Sequence, residues 1–324
     1  MSTALQGWDR ECAMRVRLRV LLAAALVVLA GCSGTGSSKP ARKIGLAVAN
    51  LQANFFNQIK QSAESYGQSK DLTVITVDAR GDAATQVSQI QDLIAQSVDA
   101  LIYIPAGATA AAVPVKAAKS AGIPVVNVDR TAEGAPGDTF IATDSVASAS
   151  EVCRHLATLA GGKGEMIVLH GQKGTTPEMD RTKGCEEGLK AFPGVTVVGE
   201  LWSEGWHQDE GFTLTQDLLQ SHPHVSIIFG QADALALGAA QAVNVAHPGQ
   251  RVWIGGFDGD TAALAAIRDG VFDVTATQQT QRMGRMAVDA AIALVKHEPV
   301  PPVQLLPATL TTRDNVGPLI AEHP

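Results

Sequence analysis

Aromatic side chains are scarce in this chain of 324 residues: eight Phe, four Trp and two Tyr, together 4%. Scarcity excludes a core of stacked rings and gives each ring weight as a marker of position. The abundance of Ala and Gly suits helices laid closely on a sheet instead. Long apolar runs are missing too, since the richest, residues 20–29, has about ten residues and is too short to span a bilayer. The four cysteines and eight histidines show neither Cys-x-x-Cys nor any other metal-ligand spacing. No Gly-x-Ser-x-Gly elbow provides a nucleophile. Gly161-Gly162-Lys163-Gly164 precedes a strand, whereas a phosphate cradle needs its glycines between a strand and a helix. Gly255-Gly256-Phe257-Asp258-Gly259 does end a strand but lacks the Lys-Ser/Thr of a nucleotide site. No enzyme, metal or cofactor is therefore expected. Basic charge is in deficit, 25 Lys and Arg against 32 Asp and Glu for a net −7, which disfavours nucleic acid as a partner.

What is present begins with an address. Arg15, Arg17 and Arg19 precede the apolar run, and Leu29-Ala30-Gly31-Cys32 closes it, the layout of an export signal with a bacterial lipobox. Cys32 is then the lipidated first residue of the mature chain, holding it to a membrane in the periplasm or at the outer cell surface. The residues before Met14 include Asp9 and Glu11 and do not resemble a signal, so Met14 is read as the start and residues 1–31 as removed. Residues 32–42, rich in Ser, Gly, Thr, Lys and Pro, form a tether. Cys153 and Cys185 remain, either as a disulfide or as two separate buried thiols.

From Lys43 onward short apolar runs alternate with helical patterns, which signals βαβ units and a parallel sheet. Strands are predicted over residues 43–49, 72–77, 100–104, 124–128 and 139–143, with helices over 55–69, 83–96 and 111–121 between them. The pattern then restarts with strands over 165–169, 196–201, 226–229, 252–256 and 274–277 and helices over 146–159, 181–192, 209–220, 232–242 and 261–268. A long helix over 281–296, a Pro-rich segment and a strand over 308–312 follow. The expected fold is α/β, two doubly wound lobes.

The few rings and paired charges fall just past predicted strand ends, where ligands bind in open parallel sheets. Asn54, Phe55 and Phe56 follow the first strand. Asp129 and Arg130 end the run from Ile123, Arg181 follows residues 165–169, Asp233 follows 225–229, and Phe257 and Asp258 follow 252–256. Trp206 stands in the polar stretch 203–210. A guanidinium offers five donors and a carboxylate about four acceptor sites, so together they hold neighbouring hydroxyls of a polyol. Aromatic faces take the C–H faces of a sugar ring.

These residues resemble, in order and spacing, the ribose-binding-protein-like family of periplasmic sugar-binding proteins that serve ABC importers. The resemblance runs from about Lys43 to Asp314 and rests on Ile44-Gly45-Leu46-Ala47-Val48 with Asn54-Phe55-Phe56, Ile141-Ala142-Thr143-Asp144, the stretch from Ala232 to Gly238, and Thr277-Gln278. It implies the type I periplasmic-binding-protein fold, with crossings between lobes near Thr143, Gln278 and Thr309, and lobes over 43–143 plus 279–308 and over 144–278 plus 309–324. It further implies that Phe55, Phe56 and Trp206 stack on the sugar while Asp129, Arg130, Arg181, Asp258 and Gln278 bind its hydroxyls. The implied function is capture of a monosaccharide or polyol by a monomer and delivery to an ABC permease; the alternative is a sensor docking to a chemoreceptor or a membrane kinase. Ala53 and Ala232 stand where ribose binders carry amides, which points away from ribose. The loop over 174–181 is about two residues longer than in that family.

Overall fold

Strand β1 (Lys43–Val48) is buried at every position after Lys43, as expected of a central strand covered on both faces. The computed structural model describes residues 41–246 and 249–322; the signal, the lipobox with Cys32 and the tether up to Pro40 lie outside them. β1 pairs with β2 (Thr73–Asp78) and β3 (Ala100–Tyr103), and β4 (Val125–Val128), β5 (Thr139–Thr143) and β11 (Val303–Leu306) extend the sheet. The order is β11-β5-β4-β3-β1-β2 and every pair is parallel. Helix α1 (Asn54–Ser69) buries Phe55, Phe56, Ile59, Ala63 and Gly67 at helical spacing, a stripe that needs a sheet to cover it. It shares one face of the sheet with α9 (Thr280–Val295), while α2 (Ala83–Ala95) and α3 (Ala112–Ser120) cover the other with Ile90, Leu93, Val115 and Ala118.

The second lobe repeats the plan through α4 (Ser145–Leu159), β6 (Lys163–His170), α5 (Thr176–Leu189), β7 (Gly194–Trp202), α6 (Gln208–Ser221), β8 (Val225–Gly230), α7 (Asp233–Ala246), β9 (Trp253–Asp258), α8 (Thr261–Asp269) and β10 (Val274–Thr277). Its sheet runs β12-β10-β9-β8-β6-β7, with β12 (Thr309–Thr312) antiparallel to β10 at the edge. Gly161 and Gly162, at φ 72° and 78°, turn α4 into β6, so this glycine run is a connector. The chain passes between the sheets three times: after β5, after β10 and between β11 and β12.

Two elements depart from the sequence expectation. The Pro-rich segment contains β11, a four-residue edge strand between Pro302 and Pro307, where a missing N–H costs no central ladder bond; the Phe140 N–H donates to the Pro302 carbonyl at 2.9 Å. A last helix, α10 (Val316–Glu322), places Leu319 and Ile320 against the second-lobe core. Its Gly and Pro hide it from propensity reasoning.

Cys153 on α4 and Cys185 on α5 form a disulfide with Cα atoms 5.2 Å apart, which selects between the two possibilities left open above. Close packing brings the helices to that distance: a Cβ on Gly184 would meet the Val146 carbonyl oxygen at 2.3 Å, and one on Gly188 that of Ser150 at 2.5 Å. The bond closes a loop of sequence separation 32. Replacing both cysteines by Ala is expected to lower the unfolding free energy by about 3–4 kcal/mol, measured by urea unfolding against the oxidised protein; an unchanged midpoint would mean that the helix contact alone fixes this pair.

Candidate functional site

The first-lobe wall is assembled from two strand ends. α1 starts six residues beyond β1, so its first turn presents Asn54, Phe55 and Phe56 at the carboxyl edge of the sheet. The two Phe rings lie edge to face with centroids 5.1 Å apart, seated in the core and reaching the cleft. At the end of β4 the Asp129 N–H donates to the Ile141 carbonyl and the Arg130 N–H to that of Val128. The tight turn holds Asp129 at φ 61°. Arg130 Nη1 donates to the carbonyls of Pro105 and Ala106 at 3.1 and 3.3 Å, and Nε lies 3.5 Å from Asp129 Oδ2. The guanidinium is 5.3 Å from the Phe56 ring centre and 5.6 Å from that of Trp206, which comes from the other lobe.

The second-lobe wall uses the same chemistry. Arg181, on α5, donates through Nη1 to the Gln231 carbonyl and sets Nη2 3.3 Å from Asp258 Oδ1. Its guanidinium stacks 3.9 Å above the Phe257 ring. Asp258 ends β9 at φ 125°, and its Oδ1 accepts the Gln278 amide at 2.8 Å. Trp206 is held at φ 65° by a loop that Glu210 ties down, its carboxylate accepting the N–H groups of Glu204, Gly205 and His207. The indole lies on Gly171; a Cβ there would meet the ring at 1.8 Å. Asp129, Trp206 and Asp258 thus all occupy backbone regions that side chains rarely adopt, a strain of order 1–3 kcal/mol each that concentrates at functional sites.

The two walls enclose a cavity of about 310 Å³, at the lower end of small-molecule sites. Of the residues expected at the site, Asn54, Phe55, Phe56, Asp129, Arg130, Arg181, Trp206 and Asp258 line it. Three do not. Asp233 is the first residue of α7 and fully buried, its carboxylate accepting the N–H groups of Gly259 and Asp260 and the Thr275 hydroxyl; it builds the β9–α8 turn. Phe257 points into the core because side chains alternate along a strand, and it supports Arg181 from below. Gln278 is buried under the cleft, where it accepts the Thr143 hydroxyl and donates to Asp258. Sequence reasoning missed Gln231 as a strut: fully buried, it accepts the Gly171 N–H and donates to Thr182 Oγ1 and the Glu178 carbonyl. It also missed Pro177, Ala234, Leu237 and Ala262 in the lining. Their only signal is a place in the first turns of helices that follow strands.

Burial dominates the electrostatics. It raises the Asp258 carboxyl to about 7, aided by the charges of Asp260 and Asp129 and opposed by Arg181 and the Gln278 hydrogen bond. It raises Asp129 as well, against the pull of Arg130 and Arg181, and lowers Arg130. Arg130 Nε, Arg181 Nε and Trp206 Nε1 are buried with no hydrogen-bond partner among the described residues. Buried donors of this kind are costly unless satisfied, and Arg130 Nε has only the Asp129 carboxylate, 3.5 Å away, to offset its burial. Among the described residues no cluster of His, Cys, Asp or Glu could hold a metal ion.

The chain is 31% identical over 309 residues to the ribose import binding protein of Bacillus subtilis (strain 168), covering 93% of this chain and all of that one. It is also 31% identical over 296 residues to the xylitol-binding protein of Mycolicibacterium smegmatis, covering 90% of this chain and 83% of the other. Among solved structures it resembles an ABC transporter solute-binding protein from Bacillus halodurans C-125 with bound myo-inositol, at TM-score 0.81 and 27% identity over 89% of this chain and all of that one. The model of the periplasmic binding protein domain matches residues 44–299. With its two doubly wound lobes, three crossings and interlobe cavity, the chain belongs to the periplasmic binding protein family, whose members act outside the cytoplasm.

Proposed function

We propose that this protein captures a monosaccharide or polyol other than ribose between its lobes and delivers it to an ABC permease. One observation carries the reading: Asp129–Arg130 from one lobe and Arg181–Asp258 from the other face a common cavity roofed by Phe56 and Trp206. Three carboxyl groups, Asp129, Asp258 and Asp260, against the two guanidiniums of Arg130 and Arg181 disfavour an anion, and a hydroxyl-rich solute suits them because every hydroxyl can both donate and accept. The rings of Phe55, Phe56 and Trp206 take its C–H faces. Relatives that bind a sugar, a linear polyol and an inositol support this class. Ala53 and Ala232 both line the cavity without the amides of ribose binders, and a ribose hydroxyl left unpaired there costs about 1–3 kcal/mol.

The ligand also supplies the switch. Direct hydrogen bonds across the cleft include the Thr131 N–H to Thr176 Oγ1 at 3.2 Å and Arg130 Nη1 to Gln172 Oε1 at 3.5 Å. A solute that touches both walls therefore biases the protein toward the closed form, which a permease distinguishes from the empty one. Export under the signal and anchoring through lipid on Cys32 complete the proposal. Cys32→Ser is expected to move the protein from the membrane fraction to the soluble one; retention on the membrane would contradict the lipid anchor.

A thermal-shift screen against pentoses, hexoses, inositols and linear polyols is expected to give a raised midpoint, since a ligand that binds only the native state stabilises it. Hits among nucleosides or amino acids with none among sugars or polyols would refute the reading. Asp129→Ala and Trp206→Ala are each expected to weaken the best ligand by about ten- to a hundredfold, measured by titration calorimetry.

Protonation adds a signed expectation. Because the Asp258 carboxyl is raised from 3.8 to about 7 in the folded protein, its contribution to the stability of the ligand-free form is full at low pH and is lost as the pH rises through about 7. Solute hydroxyls donating to the carboxylate favour the ionised form. Affinity is therefore expected to be about tenfold weaker at about pH 6 than at about pH 8, with proton release on binding. Asp258→Asn should flatten this dependence; an affinity unchanged with pH in the unsubstituted protein would place the hydroxyls elsewhere.

A further inference from the structure

The cavity has two chemically different walls. The charged one is made by the ends of β4 and β9 and by Arg181 of α5. The other is made by the first turns of α7 and α8, where Ala232, Ala234, Leu237 and Ala262 face the cavity, with the Asp260 carboxyl as the polar group at the start of α8. Ala234 and Leu237 stand three residues apart on α7, so their side chains share one helix face. None of these four side chains donates or accepts a hydrogen bond. Two of the backbone donors at this wall are already engaged, since the Gly259 and Asp260 N–H groups leading into α8 donate to Asp233 Oδ2 at 2.7 and 2.8 Å. The aromatic faces that pack on sugar C–H groups come from Phe55, Phe56 and Trp206, so the α7–α8 wall is apolar surface beyond what a fully hydroxylated ring requires.

We propose that the solute is amphipathic: a sugar or polyol carrying a methyl group, as a deoxy or O-methyl substituent, that seats against Ala234, Leu237 and Ala262 while its hydroxyl edge meets Asp129, Arg130, Arg181 and Asp258. This deepens the reading of the cavity as a sugar or polyol site and rests on it. A hydroxyl placed against Ala234, Leu237 and Ala262 themselves gives up its water partners for three side chains that cannot hydrogen-bond. A methyl in the same place removes apolar area from water. The fully hydroxylated parent should therefore bind at least about tenfold more weakly than its deoxy or methylated counterpart.

Titration calorimetry of the whole protein against matched pairs tests this: D-fucose with D-galactose, L-rhamnose with L-mannose, and a methyl ether of an inositol with the parent inositol. At least one pair is expected to favour the deoxy or methylated member about tenfold. Leu237→Asn and Ala234→Ser, which add polar groups to the wall, should bring that ratio back toward one, with the midpoint of the ligand-free protein reporting that the fold is kept. Parents binding as well as or better than their partners in every pair would overturn the amphipathic solute while leaving sugar binding in place. A preference that both variants leave untouched would overturn the placement of the methyl on α7–α8. Binding by no member of any pair, together with an empty sugar and polyol screen, would remove the sugar reading itself.

Discussion

Two buried carboxylate–guanidinium pairs, one in each lobe, set the terms for the rest of this structure. Removing such groups from water costs several kcal/mol per ion, and here each pair stands 3.3 to 3.5 Å apart with part of its hydrogen-bonding capacity unused. Surrounding residues hold the pairs in place: the carbonyls of Pro105, Ala106 and Gln231 fix the guanidiniums, Phe257 lies beneath Arg181, and Gln278 holds Asp258. Such a site trades the desolvation of its charges for their fixed placement at the cavity. The strained backbones of Asp129 and Asp258 belong to the same compromise, because only these turns bring both acids to the cavity.

The hinge is wired to this site. The Thr143 hydroxyl, at the first crossing between lobes, donates to Gln278 Oε1 at the second, and the Gln278 amide donates to Asp258 Oδ1. A change in what Asp258 holds therefore reaches the crossings through two hydrogen bonds. Because the lobes themselves are packed on both faces of their sheets, any rearrangement of one against the other falls at the crossings and the cleft.

Much of this was legible in the sequence. Buried parallel strands are written as uninterrupted apolar runs, and the residues just past them fall at the carboxyl edge of the sheet, so Phe55, Phe56, Asp129, Arg130 and Asp258 could be placed without coordinates. Sequence position does not say which way a side chain points beyond a strand end. Asp233 and Phe257 occupy the same kind of position as Asp129 and Asp258, yet one caps a turn and the other enters the core. Gln231 looks like an ordinary loop amide until its partners on β6 and α5 are seen. The apolar wall was invisible for another reason: Ala234, Leu237 and Ala262 belong to helical patterns that read as core, and their place on the cavity lining shows only when α7 and α8 are set beside the strand ends.

The central claim is that one neutral, hydroxylated solute is held jointly by both pairs. A crystal structure with the tightest-binding sugar or polyol tests it most directly. The account predicts hydroxyls within hydrogen-bond distance of Asp129 and Arg130 from one lobe and of Arg181 and Asp258 from the other, between the Phe56 and Trp206 rings. A solute resting on one lobe alone, or bound outside this cavity, would contradict it.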